Sequence, residues 1–252
     1  MAAPSLSSDV LPPDFLLSKV DDITVERINF EKTAIPSYQG LYAVILDNVL
    51  SPSECRALVQ AAEARTGDVW ELAMINIGGG QQKLDLRTRN CGRIIWDDHE
   101  LVARILGRIR CHLPEIEELE VVSGRKLKTT TTKYGLSRLN ERMRFLRYEP
   151  GNYFRAHYDG CYVDEKTKEC SFYTLHLYLN DSKSTEKLES GATVFHSGDM
   201  NKQVEVMPKA GRVLVFQHMG LLHSGGEVKK GVKLTMRTDL MYRMEGVSSQ
   251  SG

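Results

Sequence analysis

The spacing of apolar residues changes near residue 142. Before it, they recur at helical intervals: Cys55, Leu58, Val59 and Ala62 make one stripe, and Leu101, Val102, Ile105 and Ile109 make another. Each stripe has a start signal. Ser51 suits an N-cap, Pro52 the first helical position, and Glu54 completes the S-x-x-E capping box. The second helix is expected to begin at Asp97, with Glu100 three residues on. Helical support is thus expected over about 51–115. Ahead of it, LYAVILDNVL (41–50) reads as a strand and a turn, and the Ser/Pro-rich residues 1–20 as a flexible arm. The polar stretch Asn76–Arg93 holds Gly78-Gly79-Gly80 without a following G-K-[ST], so a phosphate loop is not expected there. It reads as a mobile surface loop or, functionally, as a lid over a site.

Beyond residue 142 the period is two. RMRFLRY, FYTLHLYLN, GATVFHS, QVEVMP, GRVLVFQ and VKLTMRTDLMY are short strands separated by Gly, Pro, Asn, Asp and Ser. Helices followed by many short strands indicate an α+β protein: an antiparallel double-sheet barrel with the helices on one face. The helices need a sheet to cover, so residues 21–246 are expected to form one domain behind the 1–20 arm, with its β core over about 140–243.

Composition narrows the partners. Of 252 residues, 33 are Lys or Arg and 33 are Asp or Glu, so the basic excess of a phosphate-backbone binder is missing. The basic run Arg125, Lys126, Lys128 with Lys133 reads as a solvated loop. No apolar run reaches the ~18 residues of a membrane span. The first residues show no secretion signal, and five scattered cysteines form no C-x-x-C. A reduced, cytoplasmic protein is expected.

Candidate chemistry lies in the strand region. His157-Tyr158-Asp159 is an H-x-D step, and residues i and i+2 of an extended chain face one side. His223 follows 66 residues later, after the strand GRVLVFQ. Two imidazoles and one carboxylate suit a non-haem iron(II) site with open positions, although zinc could use the same ligands. Ten residues further, Lys233 opens a strand in which Lys233, Thr235, Arg237 and Asp239 share one face. Thr174, His176 and Tyr178 form the polar face of another strand. Two such faces suggest a barrel with a polar, ligand-filled interior, where a buried lysine requires an anion.

Ordered motifs carry a resemblance. They are NERMRFLRYEPGNYFRAHYD, LHLYLND, GATVF, PKAGRVLVFQH and HSGGEVKKGVKLTMRTDLMY, over about 140–243, with LRTRNCGRIIWDDHEL upstream. Together they resemble the prolyl 4-hydroxylase-like branch of the 2-oxoglutarate/iron(II) dioxygenases. Gly191-Ala192-Thr193 departs from the family's more usual Gly-Gly-x-Thr. The resemblance implies a double-stranded β-helix (jelly-roll) core with the N-terminal helices packed on the major sheet. It implies iron(II) held by His157, Asp159 and His223. It also implies 2-oxoglutarate paired with Lys233 through its distal carboxylate, with Tyr178 bonding the same carboxylate and Tyr148 lining the pocket. Dioxygen is the second cosubstrate and ascorbate the expected reductant in vitro.

The implied reaction oxidises a C–H bond, most simply by hydroxylation, and releases succinate and carbon dioxide. Desaturation and ring closure need no change of ligand. The expected target is a proline-like or other amino-acid residue, free or peptidyl; the alternative is a small-molecule metabolite. Nucleic-acid demethylation and a non-enzymatic cupin-like module are weaker readings, against the neutral charge and the intact triad. At ~3.3 Å per residue, Arg237 lies about 13 Å from Lys233 along the strand, nearer the metal. There it would orient a substrate carboxylate or the inner carboxylate of 2-oxoglutarate, or else pair with Asp239. Arg89, Asn90, Arg93, Asn140 and Arg142 are further candidate substrate contacts. The sequence does not indicate an oligomeric state.

Overall fold

The computed structural model describes residues 11–78, 81–125, 128–181 and 188–251. Two antiparallel sheets face one another. The larger has ten strands, whose main path runs Thr24–Arg27, Ala43–Asp47, Val213–Gln217, Cys170–Tyr178, Lys233–Ser251, Arg142–Tyr148, Gly92–Asp97 and Glu71–Leu72. The smaller runs Gln203–Val206, Thr193–His196, His223–Gly225, Tyr153–His157 and Arg89–Asn90. The architecture is a double-stranded β-helix with helices on its major sheet, the class expected from the sequence.

The helices form where the sequence placed them. Helix α1 (Pro52–Ala64) starts with a complete capping box: Glu54 N–H donates to Ser51 Oγ, and Ser51 N–H donates to Glu54 Oε2 at 2.7 Å. Helix α2 (His99–Ile109) starts slightly later than expected, because the Asp98 carboxylate, not Asp97, accepts from Leu101 N–H. Asp97 instead ends a strand and pairs with Arg142. Leu58, Ala62, Ile105 and Ile109 pack on the outer face of the major sheet against Phe145, Leu175, Leu177, Met236 and Leu240. Full burial of each large side chain stabilises the fold by roughly 1.5–3 kcal/mol.

Register sets the opposite face. Lys233 stands across from Tyr148, Thr235 between Leu146 and Tyr178, Arg237 between Arg144 and His176, and Asp239 beside Thr174. Alternation sends the apolar partners of these residues to the helices and leaves the polar set between the sheets.

Three expectations change. Residues 11–20, the described part of the expected arm, are anchored: Phe15 and Leu16 are buried, and Phe15 O accepts from Arg104. The stretch Asn76–Arg93 is not one loop. Ile75–Gly78 pairs with Gln81–Lys83, Arg89–Asn90 joins the smaller sheet, and Gly92 opens a strand of the larger one. The basic run lies on a hairpin rather than a loop, with Glu118–Arg125 paired to Lys128–Leu139; Lys126 falls outside the described residues. That hairpin extends the sheet along the far half of Lys233–Ser251. No described helix is long and apolar enough to cross a membrane.

Candidate metal and cosubstrate site

The site forms where His157 ends one strand of the smaller sheet and His223 opens its neighbour, the two standing directly opposite. Each ring is aimed by its own backbone. His157 Nδ1 lies 2.8 Å from Arg155 O, and His223 Nδ1 lies 3.0 Å from Leu221 O. A carbonyl only accepts, so Nδ1 carries a proton in each ring and Nε2 is the atom left to face the site. Those Nε2 atoms lie 3.6 Å from Asp159 Oδ1 and 3.6 Å from Asp159 Oδ2 respectively. The three ligand atoms fall within 4.8 Å of one another. Such spacing is too long for hydrogen bonds. It suits donors around an ion bound at ~2.0–2.2 Å.

Asp159 is held as an anion. Burial alone would raise its pKa, but Arg237 and the two imidazoles hold it well below the ordinary carboxylate value. Arg237 Nη2 sits 3.0 Å from Oδ1, and the Thr174 hydroxyl donates to Oδ2 at 2.6 Å. His223 is pushed down to about 4, chiefly by burial, so it is neutral and able to ligate at physiological pH. The donor set therefore fits a divalent ion of intermediate softness.

The pocket beside the triad is lined by Leu146, Tyr148, Phe154, Thr193 and Lys233, among others. Lys233 is 1% exposed and has no anionic partner among the described residues. Its ammonium stands 5.2 Å over the Tyr148 ring and 5.8 Å over that of Tyr178, and burial lowers its pKa to about 8. His176 Nε2 and Thr235 Oγ1, from the same inward sheet face, are buried without hydrogen-bond partners. An unmatched cation and unmatched polar atoms are what a carboxylate-bearing cosubstrate would complete.

A family model described as the 2OG-Fe(II) oxygenase superfamily matches residues 143–238, the span that holds the triad and Lys233. Over that span the chain is similar to the 2OG-Fe(II) oxygenase superfamily. This oxygenase is an oxidoreductase of the 2-oxoglutarate dioxygenase type, with iron(II), 2-oxoglutarate and dioxygen as its cofactors. Among solved structures it resembles a Pseudomonas putida prolyl-4-hydroxylase, with TM-score 0.52, 16% identity, and 84% of this chain and 98% of that one covered. It also resembles a Trichoplax adhaerens prolyl hydroxylase in complex with a hypoxia inducible factor oxygen degradation domain peptide fragment: TM-score 0.51, 15% identity, coverage 83% and 88%. A viral collagen prolyl hydroxylase from Paramecium Bursaria Chlorella virus-1, in a 2OG complex, aligns at TM-score 0.49 and 22% identity over 82% of this chain and 98% of that one. The likenesses above 0.5 establish the fold. No curated protein matches the sequence.

The other expected site residues of the oxygenase divide sharply. Tyr148 lines the pocket, whereas the Tyr178 hydroxyl donates to Thr193 Oγ1 at 2.6 Å and so sits behind the wall. Arg237 lines the pocket and is engaged at one nitrogen only: Asp159, Asp239 and Thr174 share its Nη2 at 3.0, 3.2 and 3.2 Å, while its Nε is buried without a partner among the described residues. Asn140, Arg142, Asn90 and Arg93 are outside the pocket lining. Asn140 is a turn residue, its Oδ1 accepting from Arg142 N–H and its carbonyl from Thr238 Oγ1. Arg142 grips Asp97 at the surface, and Asn90 pairs with Tyr153 across the sheet. Arg93 lies buried, donating to Gln82 Oε1 at 3.3 Å. Of the upstream candidates only Arg89 reaches the pocket, alongside Phe154, Thr174, His176 and Thr193, which the motifs did not single out. Thr174 and His176 were legible only as members of a polar strand face; Arg89 gave no signal beyond its charge.

Proposed function

We propose that this oxygenase hydroxylates a C–H bond of an amino-acid substrate, with His157, Asp159 and His223 holding iron(II) and Lys233 anchoring 2-oxoglutarate. One observation carries the reading: three potential ligand atoms converge without bonding one another, beside a buried cation that lacks an anion among the described residues. The solved folds named as prolyl hydroxylases support an amino-acid residue as the target.

Iron and 2-oxoglutarate together would supply oxidative decarboxylation and the oxidising power for C–H cleavage. The chain's own side chains do the rest. The Nδ1–H bonds to Arg155 O and Leu221 O keep both imidazoles in the ligating tautomer. Arg237 and Thr174 orient Asp159 and stabilise its charge, so its carboxylate stays a ligand and not an acid. Lys233 takes the distal carboxylate, while the Tyr148 and Tyr178 rings shield it from water and so strengthen the pairing. The hydroxyl of Thr193 is already engaged by Tyr178, which fixes that wall.

Incubation with iron(II), 2-oxoglutarate, ascorbate and a panel of amino acids and peptides tests the proposal. The expected result is stoichiometric succinate together with a product heavier by one oxygen atom. Succinate formation unaffected by omitting iron, or by His157→Ala, would overturn the assignment of the site.

A further inference from the structure

The cation count between the sheets exceeds what iron and 2-oxoglutarate require. Lys233, Arg237, Arg144 and Arg89 line or adjoin the pocket, against the carboxylates Asp159 and Asp239. Asp239 serves two of the guanidiniums, at 3.4 Å from Arg144 Nη1 and 3.2 Å from Arg237 Nη2. A divalent ion and a dicarboxylate cancel one another, so adding both leaves the positive surplus in place.

The surplus concentrates on Arg89. It is 7% exposed, yet no carboxylate bonds it among the described residues. Its Nε donates only to Cys91 Sγ at 3.4 Å. The guanidinium carbon lies over the Phe154 ring, 4.5 Å from its centre, and that ring in turn stacks on the imidazole of His157 with centroids 3.7 Å apart. Arg89 is therefore fixed in a stack that ends on a metal-ligand residue, and it lines the pocket with Tyr148 and Cys91 as its polar neighbours. The other buried arginines differ: Arg108 holds Glu54 at 2.7 Å, and Arg237 holds Asp159. Arg93, buried and bonded only to Gln82, has Arg89 as its foremost charged neighbour, which adds to the positive potential.

Neither end of 2-oxoglutarate needs Arg89. The distal carboxylate has Lys233, and the inner one would sit at the metal, beside Arg237. Through Phe154, Arg89 stacks toward His157, on the metal-ward side of the pocket. A fixed, desolvated guanidinium without a carboxylate partner is a receptor for a planar oxyanion.

We propose that Arg89 binds a carboxylate of the substrate, so that the oxygenase acts on a free amino acid or other small carboxylic acid rather than on an internal residue of a peptide. This rests on the reading of the site given above. Mn(II) can replace iron to prevent turnover, and the protein is then saturated with 2-oxoglutarate. Ligand-observed NMR follows binding of free L-amino acids, short monocarboxylic acids and the primary amide of each. At least one acid should bind while its amide does not. Arg89→Gln should weaken that acid by about tenfold or more, Arg89→Lys by less, and 2-oxoglutarate affinity should stay with the wild type.

Acids and amides binding alike would overturn the proposal, as would no acid binding at all. A loss of 2-oxoglutarate affinity in Arg89→Gln would also overturn it, by assigning the residue to the cosubstrate. Wild-type protein that fails to bind 2-oxoglutarate would instead sink the underlying reading, and this inference with it.

Discussion

The two faces of the strand Lys233–Ser251 are built on opposite principles. Met236 and Leu240 point to the helices, where Leu58, Ile105 and Phe145 close around them without a polar atom to satisfy. Lys233, Thr235 and Arg237 point between the sheets, where charges are buried and several polar atoms stay unmatched. A pleated strand turns successive side chains to opposite faces, so a stabilising surface and a destabilised one share a backbone. The helical face gains stability by burial, and part of that gain offsets the strain of holding an unfinished electrostatic site.

Substitutions can pull the two faces apart. The largest effect is expected from His157→Ala, which should abolish turnover and weaken Mn(II) binding by more than the roughly 100-fold typical of losing a supporting residue around a metal. Its melting temperature should move little, because His157 lies at the pocket edge. Next comes Lys233→Met, which should weaken 2-oxoglutarate binding by about 100-fold, measured by titration calorimetry on the Mn(II) protein. The same change should raise the melting temperature of the ligand-free protein. Burial holds the folded pKa at about 8 against 10.5, so the charged form costs on the order of 3 kcal/mol below pH 8. Wild-type stability then rises between pH 8 and 10.5, where the unfolded chain binds more protons, and the advantage of the variant shrinks.

The helical face should answer in the opposite way. Ile105→Ala should lose about 2–5 kcal/mol in a denaturant titration and leave 2-oxoglutarate affinity intact. A large change in that affinity would show that the two faces are coupled. For wild type, affinity should fall above pH 8 as free Lys233 loses its proton, by up to about tenfold per pH unit. The smallest effect is expected at Gly191, whose φ is +79° and whose added Cβ would meet Val228 Cγ2 at 3.1 Å and Lys233 Cδ at 3.2 Å. Gly191→Ala should cost about 1–2 kcal/mol from the left-handed backbone alone, with a modest loss of cosubstrate affinity.

Legibility in the sequence follows the same division. The strand read as RMRFLRY matches Arg142–Tyr148 end to end, and both helix stripes are buried as expected, because one-sided burial writes a clear period. The H-x-D step and the distant histidine were readable because the chemistry restricts residue type. The hairpin Glu118–Leu139 was not. Its run Thr129–Thr132 pairs with Gln250–Val247, strands without an apolar alternation to announce them. The loop expected over 76–93 hid edge strands for the same reason. Arg89 lay among several arginines of equal promise. Only the packing of Phe154 between it and His157 separates it from Arg142, which pairs at the surface.

The two imidazoles share a construction: each ring is tied to the peptide oxygen two residues earlier in the chain. Their aim is thus written into main chain, which mutation of side chains does not erase. Exposed position 155 can accordingly change identity while the grip on the metal persists, whereas Leu221 is held by its burial in the core. A kink or proline that rotated either peptide would blind the ring beside it.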